Sequence, residues 1–296
     1  MGRVSSTGPR HPFLLRPHLA ERVWGGTRLG EGIGEAWDLS VHPNGESIIA
    51  SGPHEGSRLA SVVADHPDAF GGGVDLLAKR LDCAANLSVQ VHPAAGDPKT
   101  EAWVVLEAGD GAGVYLGFDG DHDVDEVRRA ALDGSLADML AFVPLSAGDA
   151  VFVPAGTVHA IGGGLVLFEL QQSSDTTYRL FDWGRTEREL HLDDGLACAD
   201  LTSPPPLPEP RPVTSGVSRL VECGFFAIDR LDGSEPLGID PHDRWAAMLV
   251  TSGSARVGEL ELTVGDTMCV PSSAGAVVVE PDSGFAALGY GPGGSR

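Results

Sequence analysis

The sequence predicts a mainly β protein, built as two antiparallel barrels with a few short helices, and three observations carry that reading. Gly at 40 and Pro at 21, with aromatic residues at only 6% of the 296, favour many short strands and tight turns over long helices. Short apolar runs bounded by Gly, Pro and Asp recur along most of the chain. The phrase Ser146-Ala-Gly-Asp-Ala-Val-Phe-Val-Pro154 is echoed by Val264-Gly-Asp-Thr-Met-Cys-Val-Pro271, which suggests that one barrel is repeated.

Residues 1–12 carry Ser, Gly, Pro and Arg without periodicity and read as a disordered tail. Residues 13–75 mix short apolar runs with turns, including Trp24-Gly-Gly, Gly34-Glu-Ala-Trp-Asp-Leu-Ser40 and Ser47-Ile-Ile-Ala50. They are expected as strands flanking the first barrel, in a domain spanning 13–201. A helix is expected from Asp123 to Leu140, where Val124, Val127, Ala131, Leu136 and Leu140 recur at helical intervals and Asp123 or Asp125 can cap the start. Its apolar stripe reads as core. The prolines of 202–213 rule out helix or central strand and mark a stiff linker. Beyond it, 214–296 returns to strands and turns, with no His where the first copy has His159, so the second barrel is expected to be metal-free and structural.

The net charge of −22 argues against nucleic acid, whose binding depends on clustered Lys and Arg. An anionic small molecule would need a local concentration of cations, and Lys79, Arg80, Lys99, Arg179 and Arg185 stand nearest to the informative segments. No run approaches the ~18–20 apolar residues of a membrane span, and the polar N-terminus lacks a signal-peptide core, so a cytoplasmic protein with no membrane partner is expected. Cys83, Cys198, Cys223 and Cys269 are far apart and form no C-x-x-C pair, so they read as reduced and mostly buried. Nothing marks an apolar interface, and the expectation is a monomer or weak homodimer.

The chemistry is concentrated in Leu87-Ser-Val-Gln-Val-His-Pro93, Lys99-Thr-Glu101 and Gly156-Thr-Val-His159. Ser88, Gln90 and His92 alternate with Leu87, Val89 and Val91, and a strand sends every second side chain to one face. Two imidazoles, a carboxylate and an amide oxygen suit a borderline divalent ion such as zinc, iron or manganese with an open position for chemistry. A lone His is more often packed or solvated than a ligand. That default stands for His11, His18, His42, His54, His66, His122, His191 and His242, but spacing and the shared face lift His92 and His159 out of it.

These residues, with Trp24-Gly-Gly, Gly34-Glu-Ala-Trp, Lys99-Thr-Glu-Ala-Trp103 and Gln172-Ser-Ser-Asp-Thr-Thr-Tyr-Arg-Leu-Phe-Asp-Trp-Gly-Arg185, resemble the type I mannose-6-phosphate isomerases of the cupin superfamily in their short bacterial form. The resemblance runs from about Trp24 to the C-terminus. It implies two cupin-type jelly-roll barrels, the first binding one Zn2+ per chain through Gln90, His92, Glu101 and His159, and it places Arg179 in the active site. Two departures stand out. Only Pro-Ala-Ala-Gly-Asp-Pro separates His92 from Lys99, a shorter loop than the family's and without its acidic and aromatic residues, and Arg80 replaces a commoner aromatic residue.

The implied activity is interconversion of mannose 6-phosphate and fructose 6-phosphate through an enediol, with a phosphorylated sugar as the binding partner. Zinc would act as the electrophile. Lys99 would neutralise oxygen charge or shuttle protons, Arg179 would orient the sugar or stabilise the enediolate, and Ser88 and Lys79 are candidates for holding the substrate. The proton-transferring base stays open, with Lys99 ranked ahead of a metal-bound water. A cupin dioxygenase using iron(II), an isomerase of another phosphorylated aldose such as glucose 6-phosphate, and a non-catalytic sugar-binding cupin are the alternatives. The cations Lys79, Lys99 and Arg179 count against the first and the full ligand set against the last.

Overall fold

A computed structural model describes residues 8–233, 235–283 and 285–290. Of the tail expected over 1–12, residues 1–7 lie outside this description. The fold is mainly β. Its helices among the described residues are the short Leu59–Asp65, Val124–Asp133 and Leu192–Cys198, and none is long and apolar enough to cross a membrane.

Two compact units are present, and neither is contiguous in sequence. One comprises Met1–Leu19, Ala36–Lys79 and Pro208–Arg296; the other comprises Ala20–Glu35 and Arg80–Leu207. One crossing, Leu207 to Pro208, falls in the proline-rich segment. The others fall inside the stretch that the sequence places around the first barrel. The reason is long-range pairing. Strand Phe13–Arg16 runs antiparallel to Thr267–Pro271, with Phe13 opposite Cys269 and Leu15 opposite Thr267, and Ile48–Ile49 pairs on its other edge. In this unit an eight-stranded sheet and a four-stranded sheet enclose a core that includes Ile239, Ala246, Met248, Leu262, Met268 and Val270.

The other unit holds the informative segments. One of its sheets has Ala150–Val153, Glu101–Ala108, Leu165–Gln172 and then residues 80–83 as successive neighbours. A five-stranded sheet has the order Tyr178–Phe181, Val89–Val91, His159–Ile161, Gly113–Phe118, Leu140–Pro144. Strand alternation aims Trp103, Val105, Val151, Val153, Leu165 and Leu167 from the first and Val114, Leu116 and Ile161 from the second into one buried cluster. The reverse face of the five-stranded sheet packs Val89, Val91, Ala160 and Leu180 against Val127, Ala130 and Ala131 of helix Val124–Asp133 and Leu196 of helix Leu192–Cys198.

The helix expected over 123–140 starts where its cap predicts and stops early. The Asp123 carboxylate accepts from the amides of Asp125 and Glu126, and the Glu126 side chain reaches back to close a capping box. Gly134 then adopts φ 91°, a left-handed conformation that terminates the helix, and Leu136–Met139 forms a separate 3₁₀ turn. Cys83 and Cys269 are buried; Cys198 and Cys223 are half-buried, and all four are free thiols.

Candidate metal centre

Each candidate donor is placed by strand register. His159 and Arg179 both stand directly opposite Gln90, on the strands at either side of Val89–Val91. Residues opposite one another on adjacent strands project to the same face, so His159, Gln90 and Arg179 form a row across the five-stranded sheet. Glu101 comes from the other sheet, opposite Val153 and Gln171, and shares its strand face with Trp103 and Val105. The inward faces are therefore apolar along most of their length and polar at one end.

At that end the donors converge. Gln90 Nε2 lies 3.3 Å from His159 Nε2 and 3.5 Å from His92 Nε2. Glu101 Oε1 is 3.3 Å from His159 Nε2, and Oε2 is 3.5 Å from His92 Nε2. The two imidazoles and the carboxylate are buried. His92 Nδ1 donates to the carbonyl of Thr176 at 2.8 Å and His159 Nδ1 to that of Thr157 at 2.9 Å. A carbonyl can only accept, so both rings carry their hydrogen on Nδ1 and turn an Nε2 lone pair inward. Burial holds both histidines below their ordinary pKa, and the Lys99 ammonium adds to the effect. Ser88 Oγ donates to Gln90 Oε1 at 3.0 Å. A half-turn of the amide exchanges its oxygen and nitrogen, and a hydroxyl can accept as readily as donate, so Gln90 can present either atom to the cluster.

Lys99 supplies the local positive charge. Its Nζ stands 2.6 Å from Glu101 Oε2, 3.1 Å from His92 Nε2 and 3.9 Å from Glu169 Oε1. Burial opposes the ammonium, but Glu101 and Glu169 together outweigh it and raise the Lys99 pKa. Burial likewise opposes ionisation of Glu101, yet Lys99 and the imidazoles bring it down to about 2. Lys99 is thus a cation in this arrangement. Glu169, whose Oε2 accepts from the Trp103 indole at 3.1 Å, escaped the sequence reading. Its signal was a carboxylate inside the otherwise apolar run Leu165-Val-Leu-Phe-Glu-Leu170.

The short loop between His92 and Lys99 carries its own brace. Asp97 Oδ2 accepts from Ser174 Oγ at 2.8 Å and Thr176 Oγ1 at 2.6 Å, which fixes the segment whose Thr176 carbonyl orients His92. The loop therefore has an acidic residue that ties it down, a role its length alone does not reveal. Asp97→Ala should weaken binding of a divalent metal by about tenfold, the lower end of what loss of an outer-shell partner costs, when measured against a competing chelator. Undiminished affinity would remove the brace from the account.

The remaining predicted residues are placed as follows. Ser88 is buried with its hydroxyl on Gln90. Lys79 belongs to the other unit, where its ammonium lies 4.8 Å from the centre of the Trp37 ring. Arg179 donates from NH1 to the Glu189 carbonyl at 2.9 Å, and its own backbone amide donates to His191 Nδ1 at 3.2 Å, so His191 supports the site strand.

No protein-family model matches the chain. It is, however, 31% identical to the mannose-6-phosphate isomerase of Streptococcus mutans over 88% of its own length and 93% of that protein's. The chain belongs to the mannose-6-phosphate isomerase family. The crystal structure of the mannose 6-phosphate isomerase from Bacillus subtilis has the family fold in the same form, with a TM-score of 0.87, 25% identity and coverage of 95% of this chain and 99% of that one. A mannose 6-phosphate isomerase solved with zinc and yttrium bound shares the fold at a TM-score of 0.75 and 18% identity, covering 95% of this chain and 99% of its own.

Proposed function

We propose that this chain interconverts mannose 6-phosphate and fructose 6-phosphate at a zinc ion held by Gln90, His92, Glu101 and His159 in the first of two cupin-type barrels, the second being metal-free. The observation that carries the metal is the spacing of the donors. Four ligands at about 2.1 Å from one tetrahedral ion stand about 3.4 Å apart; each imidazole Nε2 here lies 3.3 to 3.5 Å from one oxygen of Glu101 and from the Gln90 amide nitrogen, whose place the amide oxygen takes after a half-turn. Two imidazole nitrogens, a carboxylate and an amide oxygen suit zinc, and a fifth position on the ion would be left for a substrate. The sugar phosphate itself is argued from family membership.

Bound there, zinc would supply positive charge to stabilise the oxygen anion that develops as the C2 proton moves to C1 by way of an enediol. The protein's own groups have matching tasks. The Thr157 and Thr176 carbonyls keep both imidazoles in the ligating tautomer. The Lys99 ammonium, fixed by Glu101 and Glu169, can hydrogen-bond a sugar oxygen and return a proton to it. Arg179, on the face of Gln90, stays charged and orients the sugar. Ser88 supports Gln90, and Lys79 is retained as a candidate for the substrate.

Fructose 6-phosphate formation from mannose 6-phosphate by the purified protein tests the proposal. Chelation should abolish it and zinc should restore it. Turnover indifferent to the chelator would dismiss the metal, whereas oxygen consumption with iron(II) and no isomerisation would move the reading to a cupin dioxygenase.

A further inference from the structure

Strand Tyr178–Phe181 is the outermost of its five-stranded sheet and pairs on one side only, with Val89–Val91. In an antiparallel pair the N–H and C=O of one residue point to the same side. Those of Arg179 point away from Gln90, because the N–H donates to His191 Nδ1 at 3.2 Å and the C=O accepts from the His191 amide at 2.7 Å. The pairing of Arg179 with Gln90 is therefore the kind without hydrogen bonds, and the register shifts directly after it, between Arg179 and Phe181. The backbone of Arg179 is held from the open edge instead. His191 contributes its amide and its ring there, where a further strand would contribute two backbone groups.

The guanidinium is held from the same segment. Arg179 NH1 donates to the Glu189 carbonyl at 2.9 Å, so residues 189–191 tie Arg179 at three points. An amide can only donate, so Nδ1 of His191 carries the lone pair. His191 stands in turn at the start of helix Leu192–Cys198, and its carbonyl accepts from the Gly195 amide at 2.8 Å. A β-carbon at Gly195 would lie 2.6 Å from Leu180 Cδ2 and 3.2 Å from Tyr178 Cβ, so this glycine lets the helix come against the strand. Tyr178 and Leu180 thus face the helix, while Arg179 between them faces the metal donors.

The geometry points to His191 as the positioning residue for Arg179, fixing where the guanidinium stands relative to Gln90 and the other metal donors. The Nε of Arg179, buried and without a hydrogen-bond partner among the described residues, is left to meet the substrate. The proposal rests on the sugar-phosphate isomerase reading and adds to it a residue that acts through Arg179.

Two variants of opposite design test it in the metal-loaded, full-length protein. His191→Phe keeps a ring beside Tyr178, whose centroid is 6.2 Å away, and loses the acceptor. His191→Asn gives up the ring and places an amide oxygen where Nδ1 stands. The backbone at 191, φ −115° and ψ 56°, differs from the extended one of a capping residue, which leaves that oxygen to Arg179. In His191→Phe the Arg179 amide should exchange hydrogen about tenfold faster, and kcat should fall by roughly ten- to a hundredfold, with metal affinity unchanged. His191→Asn should recover most of both losses. Should His191→Phe not fold, His191→Ala carries the same expectation. The reverse order, with the phenylalanine variant active and the asparagine variant impaired, would assign His191 to packing alone and overturn the proposal. Exchange at Arg179 that ignores the substitutions would overturn it too, as would faster exchange with parental kcat. Exchange that follows the acceptor in a wild-type protein without isomerase activity would retire the isomerase reading and keep the hold of His191 on Arg179.

Discussion

His159→Ala should remove stoichiometric zinc and sugar-phosphate isomerisation together. His159 Nε2 is within 3.3 Å of both Gln90 and Glu101, so its loss takes away one of four donors at the centre of the set. Four-ligand zinc sites reach apparent binding energies of about 10–16 kcal/mol, which makes one donor worth roughly 3 kcal/mol and at least a hundredfold in affinity. The fold should persist. His159 is flanked by the Trp103 ring at 5.5 Å between centroids, and the cavity left behind lies at the polar end of the inward sheet faces. Metal content after dialysis against a chelator of known affinity, with turnover in the same sample, reads both effects. A variant that keeps one zinc per chain and wild-type turnover would discard the ligand set.

Lys99→Met should separate metal binding from catalysis. Methionine fills the space without the charge, leaving Glu101 and Glu169 facing one another in a buried site. Removing one member of a buried ion pair costs about 3–5 kcal/mol, so the metal-free variant should melt well below the metal-free parent. Zinc restores a cation beside Glu101, and the thermal shift it produces should therefore be larger in the variant than in the parent. Turnover should fall by about 10²–10⁴ even when zinc is bound, the range for losing a positioned proton donor. Near-parental turnover in the loaded variant would remove Lys99 from the chemistry, and equal zinc-induced shifts would remove the charge argument.

The cluster's convergence was legible because a strand's two-residue period is a local property. Ser88, Gln90 and His92 alternate against Leu87, Val89 and Val91, and the structure turns those three polar side chains inward together. Family membership was equally legible, since the motifs that carry it are short and contiguous. Partners distant in sequence were not. Nothing within residues 13–75 announces that Phe13–Arg16 will pair with Thr267–Pro271, because an apolar strand edge is complementary to many others. Glu169 was passed over inside an apolar strand for the same reason: its neighbours in space are Lys99 and Trp103, about seventy residues upstream.

The discontinuous make-up of the two units has a consequence for how the protein is made. Synthesis runs from the N-terminus, and once Leu207 has left the ribosome every segment of the unit bearing Gln90, His92, Glu101 and His159 is present. At that moment the other unit has only its two leading segments, and Phe13–Arg16 still awaits the strand Thr267–Pro271. The nascent chain can therefore complete one unit while an apolar edge of the other waits, unpaired, for the last third of the message to be read.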